Sequence, residues 1–273
     1  MLPSSSHAEL IEKIKGGYKL KSKDEMTPEY YEHLVNLLTQ QADSELAGAI
    51  GYTPWIAKAP TVKEKLIVSN IVKDEVRHAK VIYDLLEELG IDVDAHVAKH
   101  NFEFRIDDTA TDVLKSTRAA DDKRVNIFYY PIDTWADFVM FQTCMDRGAG
   151  HQLEDVKLAS YEPWAEAIKG IFKEEMMHVH HGDMWVKTIA TERHDEAQAA
   201  LELWYPRTMN IFGRPNTTKN RIYQSLGLKH RDNDAVRTAF RQEIEEIAAE
   251  VHLTMPKWTP EWEKVEEDGV IAG

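Results

Sequence analysis

The chain has 273 residues, a formal net charge of -14 and 43% hydrophobic residues. That is enough apolar material for a proper core in one large domain. No apolar run approaches the roughly 20 residues of a bilayer-spanning helix, and the acidic balance argues against broad affinity for nucleic-acid phosphates. The one cysteine, Cys144, excludes an internal disulfide and fits a reducing compartment; with no secretory-type apolar segment at the start, a cytoplasmic protein is expected.

Taken in chain order, the strong local signals are helical. Thr27 as N-cap and Pro28 at the first helical position open a helix that carries Leu34, Leu37, Leu38 and Ala42 at helical spacing and is expected to reach about Ile50. After the turn-like "GYTPWIAKAP", Thr61 and Glu64 read as a capping box, and a second long helix runs to the stop at Gly90. Residues 91 to 132 form a long connection with a short helix near Val93 to Asn101. "DTWADFVMFQTCMDRGAGHQLEDVKLAS" and "EPWAEAIKGIFKEEMMHVHHGDMWVKTIA" read as a third and a fourth long helix. Two helix pairs joined by one long crossover is a known four-helix-bundle topology. Further helices are expected at about 195 to 212, kinked at Pro206, and 234 to 252. The expectation is an all-α, ferritin-like four-helix bundle with additional C-terminal helices, one domain over 1–273, with about 1–26 and 256–273 as peripheral tails.

The chemistry sits in a repeated pattern. Glu75-x-x-His78 on the second long helix has a second copy, Glu175-x-x-His178, on the fourth; in each, residues three apart share a face. The first and third long helices each carry an isolated inner acid, Glu45 within "ADSELAG" and Asp137 within "WADFVMF". One acid or one Glu-x-x-His per helix is the known ligand plan of ferritin-like di-iron and di-manganese carboxylate bundles, with Asp137 standing where that plan has Glu. Four carboxylates brought together repel and stay ionised only against matching positive charge, which two divalent metals supply. Oxygen-rich ligands with two imidazoles suit two iron ions, or manganese, better than zinc. Asp74, Arg77 and Glu174 flank the motifs and are candidates to hold ligand histidines by their outer nitrogens or to pair across the helices. A single Glu-x-x-His is usually ordinary surface; the two copies beside two inner acids carry the reading. His180 and His181 point to other faces, and His151 lies roughly 20 Å along the helix from Asp137. Gly48, Gly148 and Gly150 either open a cavity or let helices pack closely, and Cys144 reads as a small buried hydrophobe.

At these residues the sequence resembles a known family, the catalytic subunit of bacterial phenylacetyl-CoA epoxidase, a multicomponent di-iron oxygenase. The resemblance covers roughly Met26 to Trp258 and rests on "SELAG", "WIAKAPTVKEK", "DEVRHA", "YPIDTWAD", "SYEPWAEAIKGIFKEEMMH" and "LWYPRTMNIFGRPN". An Asp at position 137 fits that family. The resemblance implies epoxidation of the aromatic ring of an aryl-CoA thioester with O2 as co-substrate, at metals held by Glu45, Glu75, His78, Asp137, Glu175 and His178. It also implies a non-catalytic helical partner subunit, a separate reductase delivering electrons from NAD(P)H, and a hetero- or homo-oligomer. The family's basic residues on the first two helices correspond here to Asn36 and Ile71, a departure that bears on the substrate rather than on the metals. Lys219, Arg221 and Lys229 in "RPNTTKNRIYQSLGLKHR" are candidate CoA-binding cations, or else an ordinary charged loop. Rival readings are another oxidase or hydroxylase on the scaffold, including a manganese catalase; a cage-forming iron-storage protein; and a metal-free structural subunit.

Overall fold

The structure is a computed structural model and describes residues 6–99, 124–260 and 262. In chain order the helices are α1 (His7–Lys15), α2 (Pro28–Lys58), α3 (Val62–Glu88), α4 (Val93–Lys99), α5 (Trp135–Val156), α6 (Glu162–Glu192), α7 (His194–Met209), α8 (Thr218–Ser225) and α9 (Asn233–Glu250). Among the described residues no strand occurs beyond one isolated bridge, between Leu20 and Tyr161, and no helix is long and apolar enough to cross a membrane. The acidic tail beyond residue 262 and the middle of the crossover lie outside the described residues.

The bundle is an all-α, ferritin-like one. Helices α2 and α3 pack as one hairpin, α5 and α6 as a second, and α3 against α6 joins them; α7 and α9 cover α5. Local chemistry sets the ends. Thr27 caps α2 by accepting from the Tyr30 amide, with Pro28 at the first position, and Thr134 caps α5 by accepting from the Asp137 amide.

Helix α2 does not stop at Ile50 but continues through Pro54 to Lys58. Pro54 faces solvent, where the Ile50 carbonyl that loses its partner can bond water, while Tyr52, Trp55 and Ala59 bury on the inner side. Burial of two aromatic rings outweighs the helix breaker. Helix α7 likewise runs through Pro206. Thr61 accepts from the Glu64 amide at 3.1 Å, but the capping box is not completed, because the Glu64 carboxylate turns inward to His181 and Trp185. Two short helices lie beyond those the sequence predicts: α1, which closes Leu10 into the core, and α8, within the stretch read as a charged loop.

Apolar residues divide into two clusters along the bundle. One gathers Tyr52, Trp55, Val68, Ile71, Phe138 and Phe141 with α7 and α9; the other gathers Leu34, Leu38, Ile82, Leu86, Leu153 and Ile168 with Leu10 and Leu228. Glu45, Glu75, His78, Glu175 and His178 fall where their helices pass from one cluster to the other, while Asp137 lies within the first. Close helix approach is set by small residues. A Cβ on Gly182 would stand 2.7 Å from the Thr143 hydroxyl and 2.8 Å from its amide nitrogen, one on Gly148 would strike Ile211 at 2.8 Å, and one on Gly170 would meet nothing within 4 Å. Gly182→Ala is therefore expected to cost ~1–3 kcal/mol by overpacking, while Gly170→Ala is neutral or stabilising by up to ~1 kcal/mol; thermal denaturation of the two variants side by side checks the contrast.

Candidate metal centre

Glu45 enters the layer from α2, Glu75 and His78 from α3, Glu175 and His178 from α6. Helix α5, the third long helix, brings Asp146 to this layer, whereas Asp137 stands away from it. Asp137 occupies the third position of α5, where its carboxylate accepts from the Thr134 amide and hydroxyl and from the Trp204 indole at 3.1 Å. Nine residues further on, about 14 Å by helical rise and half a turn away in facing, Asp146 is buried beside Glu175 and His178. The physical reason is level: ligands on antiparallel helices must stand at matched heights, and Asp137 is spent at the helix end as a cap. Glu45 and Glu75 are equally far on either side of the turn near residue 60, and the same measure from the α5–α6 turn selects Asp146 from sequence.

Two groups of donor atoms form, each with all its atoms within 4.8 Å of one another: Glu45, Glu75, His78 and Glu175, and Asp146, Glu175 and His178. Glu175 belongs to both, and Glu75 reaches towards the second, its Oε1 lying 3.2 Å from His178 Nδ1. Donors around a metal with bonds of about 2.1 Å lie only a few ångströms apart, so each group matches one ion and Glu175 is placed to bridge. The imidazoles turn Nδ1 inward: His78 Nδ1 is 2.9 Å from Glu175 Oε1 and 3.8 Å from Glu45 Oε2. His78 Nδ1, both nitrogens of His178, Glu175 Oε1 and Asp146 Oδ2 are buried without a hydrogen-bond partner. Such a concentration of orphaned donors is costly in a finished core and fits metal ligands, whose lone pairs a cation would take up.

Outer contacts hold several of these groups. Glu174 Oε2 accepts from His78 Nε2 at 2.9 Å and is itself clamped by Arg77, which lies 3.7 Å from Asp74. Asp74 stands 3.8 Å from His178 Nε2. The acid beside each ligand Glu thus faces the histidine of the other motif, tightly for His78 and loosely for His178. Tyr52 donates to Asp146 at 3.0 Å, and Gln41, fixed by the Trp164 indole at 2.8 Å, donates to Glu45 at 3.2 Å. His181, buried between Glu64 and Gln142, and His151, beside Glu243, stand outside the layer, and His180 is exposed.

Without metal, protons do the balancing. Burial, then the Glu175 charge, pushes Glu75 and Asp146 well above the usual carboxylate range. Burial also opposes charge on the imidazoles, but contacts with Glu175 and Glu45 outweigh it at His78, raised to about 11, and contacts with Glu175 and Glu75 at His178, raised to about 12. Glu175, despite burial, is held down at about 2 by His178 and His78. At neutral pH His78 and His178 carry protons that divalent ions must displace.

A cavity of about 400 Å³ opens from this layer. It is lined by Glu45, Glu75, Glu175, Asp146 and Tyr52 of the layer, by the apolar Gly48, Phe128, Met145 and Ala149, and by Asn36, Tyr223, Asn220, Lys219 and Lys229. Gly48 leaves room: a Cβ there would touch Phe128 and the Glu75 carboxylate at 3.5 Å. Lys219 and Lys229 reach the cavity, whereas Arg221 is turned to the Asn216 carbonyl and the Thr218 hydroxyl. Asn36 donates to the Tyr223 hydroxyl at 2.9 Å, and Ile71 is core.

Metal loading is expected to release protons at pH 7, one each from His78 and His178. Affinity for Mn²⁺ or Fe²⁺ should then rise steeply with pH; titration calorimetry in buffers of different ionisation enthalpy reads the protons directly. Asp146→Ala should lose metal, while Asp137→Ala should keep it and lose ~1–2 kcal/mol of stability with its cap.

A family model described as phenylacetic acid catabolic protein matches residues 12–271. One component of the 1,2-phenylacetyl-CoA epoxidase of Escherichia coli (strain K12) is 27% identical over 232 residues, covering 81% of this chain and 68% of that protein. With nearly the whole chain matched, this protein is a member of the phenylacetic acid catabolic protein family.

Proposed function

We propose that this chain is the metal-bearing subunit of a di-iron monooxygenase acting on an aryl-CoA thioester, of the ring 1,2-phenylacetyl-CoA epoxidase type. The observation that carries the reading is the pair of orphaned donor groups sharing Glu175 beside a 400 Å³ cavity, in a member of a family of phenylacetate catabolism. The relative's activity on phenylacetyl-CoA and its place in a multisubunit enzyme support the substrate and the assembly. The reaction would consume the thioester, O2, NAD(P)H and a proton and give the epoxide, water and NAD(P)+. Electrons would arrive through a separate reductase, beside a non-catalytic helical partner subunit, in the cytoplasm.

The ligands are Glu45, Glu75, His78, Asp146, Glu175 and His178. Two irons there would supply oxygen activation. The residues of the chain do the rest. Glu174 with Arg77 orients His78, Tyr52 orients Asp146, and Gln41 orients Glu45, so each ligand is braced from outside the layer. The walls at Gly48, Phe128 and Met145 exclude water and hold the ring over the metal layer. Lys229 and Lys219 stand in the cavity lining for the phosphates or carbonyls of the CoA arm, in place of basic groups at Asn36 and Ile71; Arg221 has no part in the cavity. Burial, partly offset by Asp155, lowers Lys229 to about 8.

Elemental analysis with anomalous scattering should give about two irons per chain. A screen of aryl-CoA thioesters with a reductase and NAD(P)H then tests turnover. Two manganese ions and peroxide disproportionation would move the activity elsewhere on the same scaffold, and absence of metal from wild type would sink the reading. If Lys229 meets the substrate as a cation, kcat/KM should fall as pH rises through about 8 and should not do so in Lys229→Arg.

A further inference from the structure

Tyr52 is 1% exposed, and its hydroxyl donates to Asp146 while its ring opens an aromatic chain leading away from the metal layer. Ring centroids are 5.2 Å apart from Tyr52 to Phe138, 4.9 Å from Phe138 to Trp135 and 5.2 Å from Trp135 to Trp185. Trp55 stacks on the same Phe138 at 5.1 Å and lies 6.0 Å from Trp135. Trp135 and Trp185 are half-buried, so the chain ends within reach of solvent. Its last indole, at Trp185, donates its N–H to the Glu64 carboxylate at 2.9 Å, as the buried Trp204 does to Asp137 at 3.1 Å. A carboxylate there stabilises the positive charge that one-electron oxidation leaves on an indole and can take its proton.

A second branch differs. Tyr52 also meets Phe141 at 5.8 Å, and Phe141 meets Trp204 at 5.0 Å. Trp204 is fully buried, and the Arg207 guanidinium lies 4.9 Å over its ring. Closed off from solvent on all sides, Trp204 offers no surface at which a reductant could refill it, so that branch leads nowhere.

The geometry points to a built-in exit route for oxidising equivalents, running from Asp146 through Tyr52, Trp55 and Trp135 to Trp185 and Glu64. It rests on the proposed metal site. When oxidation of the metals is not spent on substrate, Tyr52 gives one electron to the metal pair and its phenolic proton to Asp146, and becomes a neutral phenoxyl radical. Trp135, with Trp55, returns an electron to Tyr52, which recovers its proton from Asp146. Trp185 refills Trp135, yielding its indole proton to Glu64. A small-molecule reductant such as ascorbate restores Trp185 at the surface. Each passage moves one electron inward, so the cavity wall at Phe128 and Met145 is spared.

The test uses iron-loaded full-length protein without substrate, oxidised by hydrogen peroxide, which takes two electrons and two protons and leaves as water. Metal content is measured first in every variant. Electron paramagnetic resonance and peptide mapping then follow the oxidation. Wild type should be oxidised chiefly at Trp135 and Trp185. Trp135→Phe should leave Trp185 intact and accumulate a tyrosyl signal, which Tyr52→Phe combined with Trp135→Phe abolishes. Tyr52→Phe alone should shift oxidation to Phe128 and Met145. An iron-loaded Trp135→Phe protein with no tyrosyl signal and Trp185 still oxidised, or a Tyr52→Phe map identical to wild type, overturns the route alone. Failure of wild type to hold iron would overturn the metal reading and the route with it.

Discussion

Everything in this molecule is arranged around the cost of bringing Glu45, Glu75, Asp146 and Glu175 together inside a helical bundle. Like charges at such distances in a poorly solvated layer cannot all remain ionised without matching cations. In the protein alone, protons on His78 and His178 supply part of the match, and burial with the Glu175 charge raises Glu75 and Asp146. That arrangement leaves donors aimed at one another without hydrogen bonds, the condition of a layer shaped for an ion. The two hydrophobic clusters on either side provide the stability that lets the layer persist, since a buried polar layer is by itself unfavourable.

The same constraint explains the surrounding asymmetry. His78 is fixed by Glu174 and Arg77, whereas His178 faces Asp74 only at 3.8 Å. Asp146 is tied to Tyr52, and through that ring to the aromatic end of the bundle. On the opposite side the layer opens to the cavity, roofed by the C-terminal segments around α8 and the start of α9. The added helices are therefore part of the site: they contribute Asn220, Tyr223, Lys229 and Asn233 to its wall, and turn a metal-binding bundle into one with a shaped, partly cationic chamber.

Much of the fold was legible because helix signals are local. N-caps at Thr27 and Thr61 mark the first two long helices and residue pattern marks the other two, and two Glu-x-x-His motifs one turn deep announce their own facing. The expected fourth carboxylate, Asp137, lies apart from the donor groups for a reason of the same kind. Asp137 and Asp146 are both acids in apolar surroundings on α5, and local pattern does not say at what height a neighbouring helix crosses. Thr134 and Trp204 claim Asp137; the latter arrives from α7, 67 residues away. Helix α2 outran its expected end because the burial of Tyr52 and Trp55 is a tertiary fact that Pro54 does not reveal.

By itself, then, the sequence determined the helical class, the pairing of the long helices and five of the six proposed ligands, because periodicity and residue chemistry act within a few turns. The tertiary structure showed which acid of α5 stands in the layer, through the matched heights of α5 and α6. It also decided which basic residues face the cavity, setting Lys219 and Lys229 apart from Arg221, and which aromatic rings touch. Those outcomes depend on distances between segments far apart in the chain, and such distances are fixed only when the clusters on both sides of the carboxylate layer close around it.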